Sequence, residues 1–206
     1  MKDLIDYIEK LKKSLVGRKV EKRIKEFKEI SKKSNDDIFK ELCFCILTAN
    51  FNAEKSIEIQ NKIGDGFLNF SEKELEKKLR ELGHRYPKTR AKYIVEARMF
   101  KDSLKNILES NENDLRDWFV KNIKGLGYKE ASHFLRNIGF ENFAIIDFHI
   151  IDLLVKHKLI KRPKTLTKRK YFEIENILKR IAKELNINLA ELDLYLWYME
   201  TGKILK

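Results

Sequence analysis

Residues 113–140 read NDLRDWFVKNIKGLGYKEASHFLRNIGF and contain the most informative pattern in the chain. Leu115, Phe119 and Ile123 recur at helical spacing and give one apolar stripe, which stops at the glycine-rich segment that follows. A second apolar stripe lies beyond the glycines and consists of Ala131, Phe134, Leu135 and Ile138. The pattern predicts two helices joined by a tight turn, a helix-hairpin-helix over residues 114–138.

The turn itself contains Gly125 and Gly127, separated by one apolar residue, Leu126. Two glycines let the backbone turn sharply, and Leu126 is expected to fill the space between the helices. The amides of the hairpin and of the next helical turn then point outward together, which is typical of a site for one DNA phosphate. A nucleotide-binding glycine loop would need a preceding strand and a third glycine where this chain has Glu130. A plain helix–turn–helix connection, with the glycines acting only as a cap, stays open.

Lys129 lies in the first turn of the predicted second helix. The helix dipole and burial in a cleft both disfavour the ammonium form, and a neutral amine is what Schiff-base chemistry requires. Further on, the sequence AIIDFHII places Asp147 at the N-cap of another helix, where a carboxylate stays ionised and can stabilise positive charge. Alone, Asp147 is more often only a cap, and Lys129 is one of many surface lysines. Their joint placement after a glycine hairpin indicates catalysis.

Helical periodicity runs through almost the whole chain, so the predicted fold class is all-α. Residues 38–49 are apolar on nearly every side and predict a central buried helix, and only residues 143–146 look extended. Loops are predicted at 64–66, 83–88, 125–127 and 161–167. The further predicted helices span 53–63, 72–82, 88–106, 114–122, 167–185 and 188–200.

The composition favours a polyanionic partner, because 44 Lys and Arg face 32 Asp and Glu and leave a net charge of +12. Nucleic acid is the first candidate and an acidic membrane surface the second; a charged surface suited to high temperature is compatible with both. The basic tract 156–170 is interpreted as a solvated loop or as a loop that faces phosphate. No signal peptide or membrane-spanning run is recognisable, so we expect a cytoplasmic protein. Cys43 and Cys45 are expected to be buried, without a disulfide or a metal.

Residues 115–155 resemble the signature of the helix-hairpin-helix, Gly/Pro-rich loop, Asp superfamily of DNA glycosylases. The hairpin lysine, Lys129, implies the bifunctional branch, in which a glycosylase is also an AP lyase. The segment Leu47–Asn52 resembles the stretch that enters the gap left by a flipped base, which implies DNA contacts for Asn50 and Asn52. The segment Leu82–Tyr86 resembles the loop that wedges the opposite strand, which implies DNA contacts for Arg85 and Tyr86. The loop before Asp147 lacks the usual proline.

The endonuclease III branch of this superfamily usually carries four C-terminal cysteines for an iron–sulfur cluster, and this chain has none after Cys45. We therefore predict no cofactor and no metal. A small all-helical member that ends in a lysine resembles the archaeal second family of 8-oxoguanine DNA glycosylases. That resemblance implies that Lys206 helps to distinguish 8-oxoguanine from guanine; otherwise the tail is a frayed end. Trp197 is a candidate for stacking on the extruded base, with core packing as the alternative.

The resemblance implies one glycosylase unit over residues 1–206 with two lobes and a cleft between them. One lobe would comprise residues 36–138, and the other residues 1–35 plus 141–206. As a monomer, the protein would bind damaged double-stranded DNA and flip the lesion into the cleft. Lys129 would attack C1′, Asp147 would stabilise the positive charge that develops on the sugar, and β-elimination would nick the strand. His149 would contact a phosphate, unless it is a surface or core histidine.

Three other functions stay open on the sequence alone. A cluster-free endonuclease III-like enzyme would keep the same hairpin but remove oxidised pyrimidines. A non-catalytic helix-hairpin-helix module would keep the glycines and the basic charge without needing Lys129 and Asp147 together. An all-helical protein-interaction domain would need neither residue.

Overall fold

The computed structural model describes residues 2–109 and 112–206, and those residues form α-helices, one 3₁₀ helix and connecting loops. No strand occurs in either range, so the all-α prediction is confirmed. The 3₁₀ helix is Arg98–Ser103. The α-helices are α1 (Lys2–Lys12), α2 (Leu15–Ser31), α3 (Asn35–Thr48), α4 (Ala53–Ile63), α5 (Gly66–Asn69), α6 (Glu72–Glu81), α7 (Pro87–Ala97), α8 (Leu104–Leu108), α9 (Glu112–Asn122), α10 (Tyr128–Asn137), α11 (Phe148–Lys156), α12 (Lys168–Glu184) and α13 (Leu189–Thr201).

In the part of the chain that the structure describes, six helices begin after a polar residue whose side chain accepts a hydrogen bond from the first turn, because the first amides have no partner within the helix; these are α3, α4, α6, α11, α12 and α13. Ser71 and Asn188 each form a complete capping box, with Glu74 and Glu191 respectively bonding back to the cap residue. Thr167 caps α12 in the simpler way, by accepting from the amide of Lys170. Local sequence therefore sets where these helices start.

The chain divides into two compact units. The continuous unit is Ile30–Phe134, and the interrupted unit combines Met1–Glu29 with Leu135–Lys206. The lobe boundaries expected from the resemblance, at residues 36 and 138, differ from these by several residues. That the two units are the lobes of a glycosylase stays a prediction.

The continuous unit is built around α3, whose residues from Ile38 to Thr48 are buried apart from Lys40, which is half-buried. This confirms the predicted central helix. Cys43 and Cys45 lie within it as buried thiols that are not joined in a disulfide, as expected from their apolar surroundings. Burial raises the pKa of the Cys43 thiol well above its ordinary value, because the apolar interior disfavours the thiolate.

The predicted single helix over 88–106 is wrong. The chain forms α7, the 3₁₀ helix and α8 in succession, and Asn35 at the start of α3 explains the break. Its side-chain amide donates to the carbonyl of Asp102 at 2.7 Å and accepts from the amide of Lys105 at 3.0 Å. These tertiary hydrogen bonds compete with the helical ladder. The predicted loop at 64–66 is also too long, because α5 already begins at Gly66.

The interrupted unit packs the apolar faces of α1 and α2, at Leu4, Ile8, Val20 and Phe27, together with buried residues of α11, α12 and α13. The apolar periodicity of the first helix is thereby confirmed. Within the described ranges, no helix has both the length and the apolar character needed to cross a membrane.

Candidate active site

The glycine hairpin lies between α9 and α10, where the sequence predicted it. Gly125 adopts φ +89°, a left-handed conformation that favours glycine. A Cβ at this position would lie 2.6 Å from Cδ2 of Tyr93, so the close approach of that ring also excludes a side chain. Leu126 is only 5% exposed and fills the turn, as predicted. The hairpin therefore depends on glycine for both its backbone conformation and its packing.

Two polar contacts brace the helices on either side of the hairpin. The Tyr128 hydroxyl donates to the Asp117 carboxylate at 2.6 Å, and the buried guanidinium of Arg116 donates to Ser132 at 3.2 Å. The Arg116 guanidinium also lies 5.8 Å from the centroid of the Tyr128 ring. None of these residues was singled out in the sequence. The sequence signal that could have predicted these contacts was an arginine and an aspartate within one turn of the apolar stripe of α9.

Lys129 is the second residue of α10, and its side chain is 27% exposed. Its Nζ lies 3.5 Å from Oε1 of Glu130, whose side chain is 14% exposed. The other carboxylate oxygen of Glu130 accepts from the amide of Gly127 at 3.2 Å. The candidate nucleophile thus stands half-buried in the first helical turn, beside an anion that is itself bonded to the hairpin.

Asp147 is the N-cap of α11, with an extended backbone at φ −108° and ψ −173°. Its Oδ1 accepts from the amide of Ile150 at 3.0 Å. The predicted cap is therefore present. A half-buried carboxylate at a helix N-terminus can stabilise positive charge that develops nearby.

The segment before Asp147 is extended but pairs with no strand, and side chains from α12 take over its backbone hydrogen bonds. The Tyr171 hydroxyl donates to the carbonyl of Ala144 at 2.7 Å and accepts from the amide of Ile146 at 3.2 Å. The buried Glu175 carboxylate accepts from the amide of Ala144 at 3.1 Å. Sequence reasoning missed both supports. The sequence signal for these supports was a glutamate one turn beyond a tyrosine on the apolar face of α12.

His149 lies between two aromatic rings of the interrupted unit. The exposed Phe148 ring is 4.0 Å from the His149 ring, and Trp197 meets His149 edge-on at 5.1 Å. The indole Nε1 of Trp197 is buried and has no acceptor among the residues that the structure describes. The structure thus brings together two of the predicted site residues, His149 and Trp197. Lys206 is half-buried at the end of the chain.

The two predicted DNA-facing loops of the continuous unit lie side by side. The Phe51 and His84 rings are 4.2 Å apart, and the guanidinium of Arg90 donates to the carbonyl of Ala49 at 2.5 Å. Burial lowers the pKa of both His84 and Arg90. Neither of these anchors was predicted from the sequence.

The predicted contact residues lie at the exposed tips of those loops. Asn50 is exposed with φ +57°, and Asn52 caps α4 by accepting from the amide of Lys55 at 2.9 Å. The exposed Arg85 guanidinium lies 5.2 Å from the centroid of the Tyr86 ring. These groups are positioned where a polyanion can reach them.

The basic tract 156–170 connects α11 to α12 and begins α12, and most of its side chains are exposed. Within it, Arg162 forms an ion pair with Asp152. No group of three His, Cys, Asp or Glu side chains that could hold a metal ion was found over residues 2–109 and 112–206.

Comparison with known proteins places the chain in a family. The family described as 8-oxoguanine DNA glycosylase matches residues 20–187. An 8-oxoguanine DNA glycosylase/AP lyase of Methanocaldococcus jannaschii is 58% identical over 98% of this chain and 99% of the relative. A protein of the same name from Thermotoga maritima is 43% identical over 99% of each chain.

Solved structures agree with these relatives. The M. jannaschii 8-oxoguanine glycosylase/lyase in complex with 15mer DNA containing 8-oxoguanine has a TM-score of 0.96 at 56% identity, and the match covers 98% of this chain and 99% of that one. The 8-oxoguanine DNA glycosylase of T. maritima has a TM-score of 0.94 at 42% identity, over 100% and 99% of the two chains. The chain therefore belongs to the 8-oxoguanine DNA glycosylase family.

Proposed function

We propose that the protein excises 8-oxoguanine from duplex DNA and then nicks the abasic strand, acting as a DNA glycosylase and AP lyase. The family match and the close relatives support the substrate and the pair of activities. The observation that carries the mechanism is the position of Lys129, half-buried in the first turn of α10 directly after the glycine hairpin.

Lys129 is the nucleophile. Its neutral amine attacks C1′ of the damaged nucleotide, the C1′–N bond breaks, and the base leaves with the bonding electrons. The attacking nitrogen loses a proton and the C1′–O4′ bond opens, with O4′ taking up a proton, which gives a Schiff base between Lys129 and C1′. The Schiff base makes the C2′ proton acidic, and its removal by β-elimination breaks the C3′–O bond and releases the 3′ phosphate. Asp147 stabilises the positive charge on the sugar while the base departs. Its cap bond to Ile150 keeps the carboxylate at the start of α11.

DNA binding is assigned to the hairpin and to the loop tips. The amides of Gly125 and Gly127 bind one backbone phosphate, and His149 contacts another. The tips of the two adjacent loops enter the duplex where the nucleotide is flipped out; they carry Asn50, Asn52, Arg85 and Tyr86. The net charge of +12 supports phosphate binding in general.

Base recognition is assigned to Trp197 and Lys206. Trp197 has a buried indole donor without an acceptor in the described part of the chain, and such a donor costs free energy unless a ligand pairs with it. Lys206 contributes to selecting 8-oxoguanine over guanine. Monomeric state and cytoplasmic location remain predictions from the sequence.

Borohydride trapping tests the assignment of the nucleophile. Incubation with duplex DNA that carries 8-oxoguanine opposite cytosine should give a covalent complex, and Lys129→Gln should abolish it. The matched control is Lys124→Gln, since Lys124 lies in the same hairpin with a 65% exposed side chain, paired with Glu96 at 3.1 Å. This control should trap normally.

The outcomes are distinct. A Lys129→Gln variant that still traps would move the nucleophile elsewhere. No adduct with any oxidised base would rule out the lyase and leave a DNA-binding module, and trapping only with oxidised pyrimidines would reassign the substrate. In the same assay, deletion of Lys206 should reduce selection of 8-oxoguanine over guanine more than it reduces DNA affinity; equal losses would contradict its role.

A further inference from the structure

Glu130 connects the hairpin to the candidate nucleophile. It is the third residue of α10, and one carboxylate oxygen accepts from the Gly127 amide at 3.2 Å. The other oxygen lies 3.5 Å from Nζ of Lys129. The Glu130 side chain is only 14% exposed, whereas most glutamate side chains in proteins are exposed to solvent.

The bond to Gly127 has an ordinary structural role. Gly127 directly precedes α10, and a glutamate at the third helical position often accepts from the amide of the cap residue, as in half of a capping box. The contact to Lys129 goes beyond capping, because the ion pair restrains the Nζ that the proposed function assigns as the nucleophile.

The Gly127 amide is also one of the donors that the proposed function assigns to a DNA phosphate. A carboxylate and a phosphate repel each other and cannot both occupy that amide. When the phosphate binds, the Glu130 carboxylate has to leave, and its contact with Lys129 is lost or lengthened with it.

We propose that Glu130 is a positioning residue that a DNA phosphate displaces. In the DNA-free protein its ion pair with Nζ holds the Lys129 side chain beside the hairpin. Phosphate binding takes the Gly127 amide from Glu130, and the ion pair that restrains Lys129 is then broken. The Lys129 side chain can thus reach C1′ only after the backbone of the substrate is bound.

Other charged and titratable groups surround this pair. From α7, the Arg90 charge interacts with Glu130 and gives the displaced carboxylate a cation to turn towards. Tyr93, also on α7, lies against the hairpin at Gly125. Arg116 and Asp117 of α9 are engaged with Ser132 and Tyr128, and His133 lies one turn beyond Lys129 on α10. A Glu130 substitution leaves all of these groups in place.

The proposal rests on the proposed function, so the experiment measures the rate of borohydride trapping at subsaturating and at saturating DNA. Glu130→Gln keeps an oxygen for the Gly127 amide but removes the ion pair with Lys129. At subsaturating DNA, where the rate reports the unbound enzyme, the variant should trap about threefold faster than the unaltered protein, because the restraint on Lys129 is already absent. At saturating DNA, the two rates should coincide, because the phosphate has already displaced Glu130.

DNA affinity gives a second measurement. On a duplex with a tetrahydrofuran abasic analogue, which cannot form a Schiff base, Glu130→Gln should bind about fivefold tighter, because a like charge near a phosphate is removed. The matched control is Glu58→Gln, which removes one charge from a glutamate that pairs with Lys55 and Lys62 on α4 of the same unit. It should change affinity less than twofold and leave the trapping rate unchanged at both DNA concentrations.

Each result decides the proposal. Equal trapping rates at subsaturating DNA, or equal gains at both DNA concentrations, would overturn displacement, as would weaker binding by Glu130→Gln. Absence of trapping by the unaltered protein would instead remove the proposed function. If thermal unfolding shows that Glu130→Gln does not fold, Glu130→Asp replaces it, since its shorter side chain cannot reach the Gly127 amide equally well. Glu130→Asp should bind DNA more tightly than the unaltered protein; weaker binding would contradict the proposal.

Discussion

The hairpin before Lys129 and the extended segment before Asp147 each position a candidate catalytic side chain, but they are stabilised in different ways. Both place a candidate catalytic side chain in or just before the first turn of a helix. The hairpin does so with residues close in sequence, through the left-handed conformation of Gly125 and the buried plug Leu126. The segment 143–146 depends on Tyr171 and Glu175, which lie on a later helix.

This difference determines how each region should respond to substitution. A locally determined turn is sensitive to the conformation of one backbone position, whereas a segment supported from α12 is sensitive to distant hydrogen-bonding groups. Two results would show that the regions do not differ in this way. The first is a hairpin that keeps its stability when a glycine gains a side chain, and the second is an extended segment that keeps its structure when α12 loses its hydrogen-bonding groups.

The largest effect is expected for Gly125→Ala. The left-handed backbone and the 2.6 Å approach of Tyr93 to the new Cβ should together lower the free energy of unfolding by about 2–3 kcal/mol. Trapping should fall as well, because Lys129 follows the distorted turn. Chemical denaturation and trapping on the same preparation measure both.

Gly83→Ala is the matched control for this substitution. Gly83 has φ +76°, but a Cβ there would have no neighbour within 4 Å. It should therefore show the backbone cost alone, about 1 kcal/mol. Equal losses for the two variants would mean that contact with Tyr93 contributes nothing to the hairpin.

A smaller effect is expected for Tyr171→Phe, which removes the hydroxyl that bonds to Ala144 and Ile146. Two buried backbone groups lose a partner, so the free energy of unfolding should fall by about 1.5 kcal/mol. Trapping should slow by about tenfold, because Asp147 follows the loosened segment. Tyr195→Phe, at another buried tyrosine of the same unit, should leave trapping unchanged. A Tyr171→Phe variant with full activity would show that the extended segment holds Asp147 without α12.

The smallest effect concerns His84, a distant support within the continuous unit. The amide of Tyr86 donates to its Nδ1, so the proton lies on Nε2 and donates to the carbonyl of Leu47 at 3.1 Å. Burial holds the pKa of His84 below its ordinary value of 6.5, assisted by the Arg90 charge and opposed by the Leu47 carbonyl. The unfolded chain therefore takes up the proton at higher pH than the folded protein does. The stability that His84 contributes is present above pH 6.5 and is lost as pH falls through the lowered pKa.

Unfolding measured between about pH 7.5 and about pH 5.5 should show this loss, and His84→Gln should reduce it by about 0.5 kcal/mol. His157→Gln is the control, because His157 is a half-buried histidine of the other unit, at the C-cap of α11. An identical pH dependence in the unaltered protein and His84→Gln would exclude His84 as a pH-sensitive support of the loop.

The parts of the fold that follow from short-range sequence patterns could be predicted. The helices, the buried α3, the hairpin with its Leu126 plug and the Asp147 cap all depend on periodicity or on one residue's backbone preference. The resemblance supplied the family, which the comparisons confirm. The roles of Lys129, Asp147 and the other assigned site residues stay predictions.

The missed features all depend on partners far along the chain. The break in the predicted helix 88–106 comes from Asn35, which bonds to Asp102 and Lys105. The supports Tyr171, Glu175, His84 and Arg90 likewise act on backbone groups in other segments. In one sequence, each is an unremarkable polar residue on a helix or in a loop. Periodicity records which face is apolar, and it carries no information about which distant carbonyl a buried side chain bonds to.

The burial of Cys43 and Cys45 has a consequence for a protein proposed to act on oxidised DNA. Oxidants attack the thiolate, and the burial that raises the pKa of Cys43 keeps it as a thiol. The thioether of Met99 is instead 78% exposed, so among the sulfur atoms of residues 2–109 and 112–206 it is the one that oxidant reaches most readily. Methionine sulfoxide there lies outside the packed core. Oxidation at Met99 therefore leaves the packed interior of the continuous unit intact, whereas oxidation at Cys43 would place a polar group inside it.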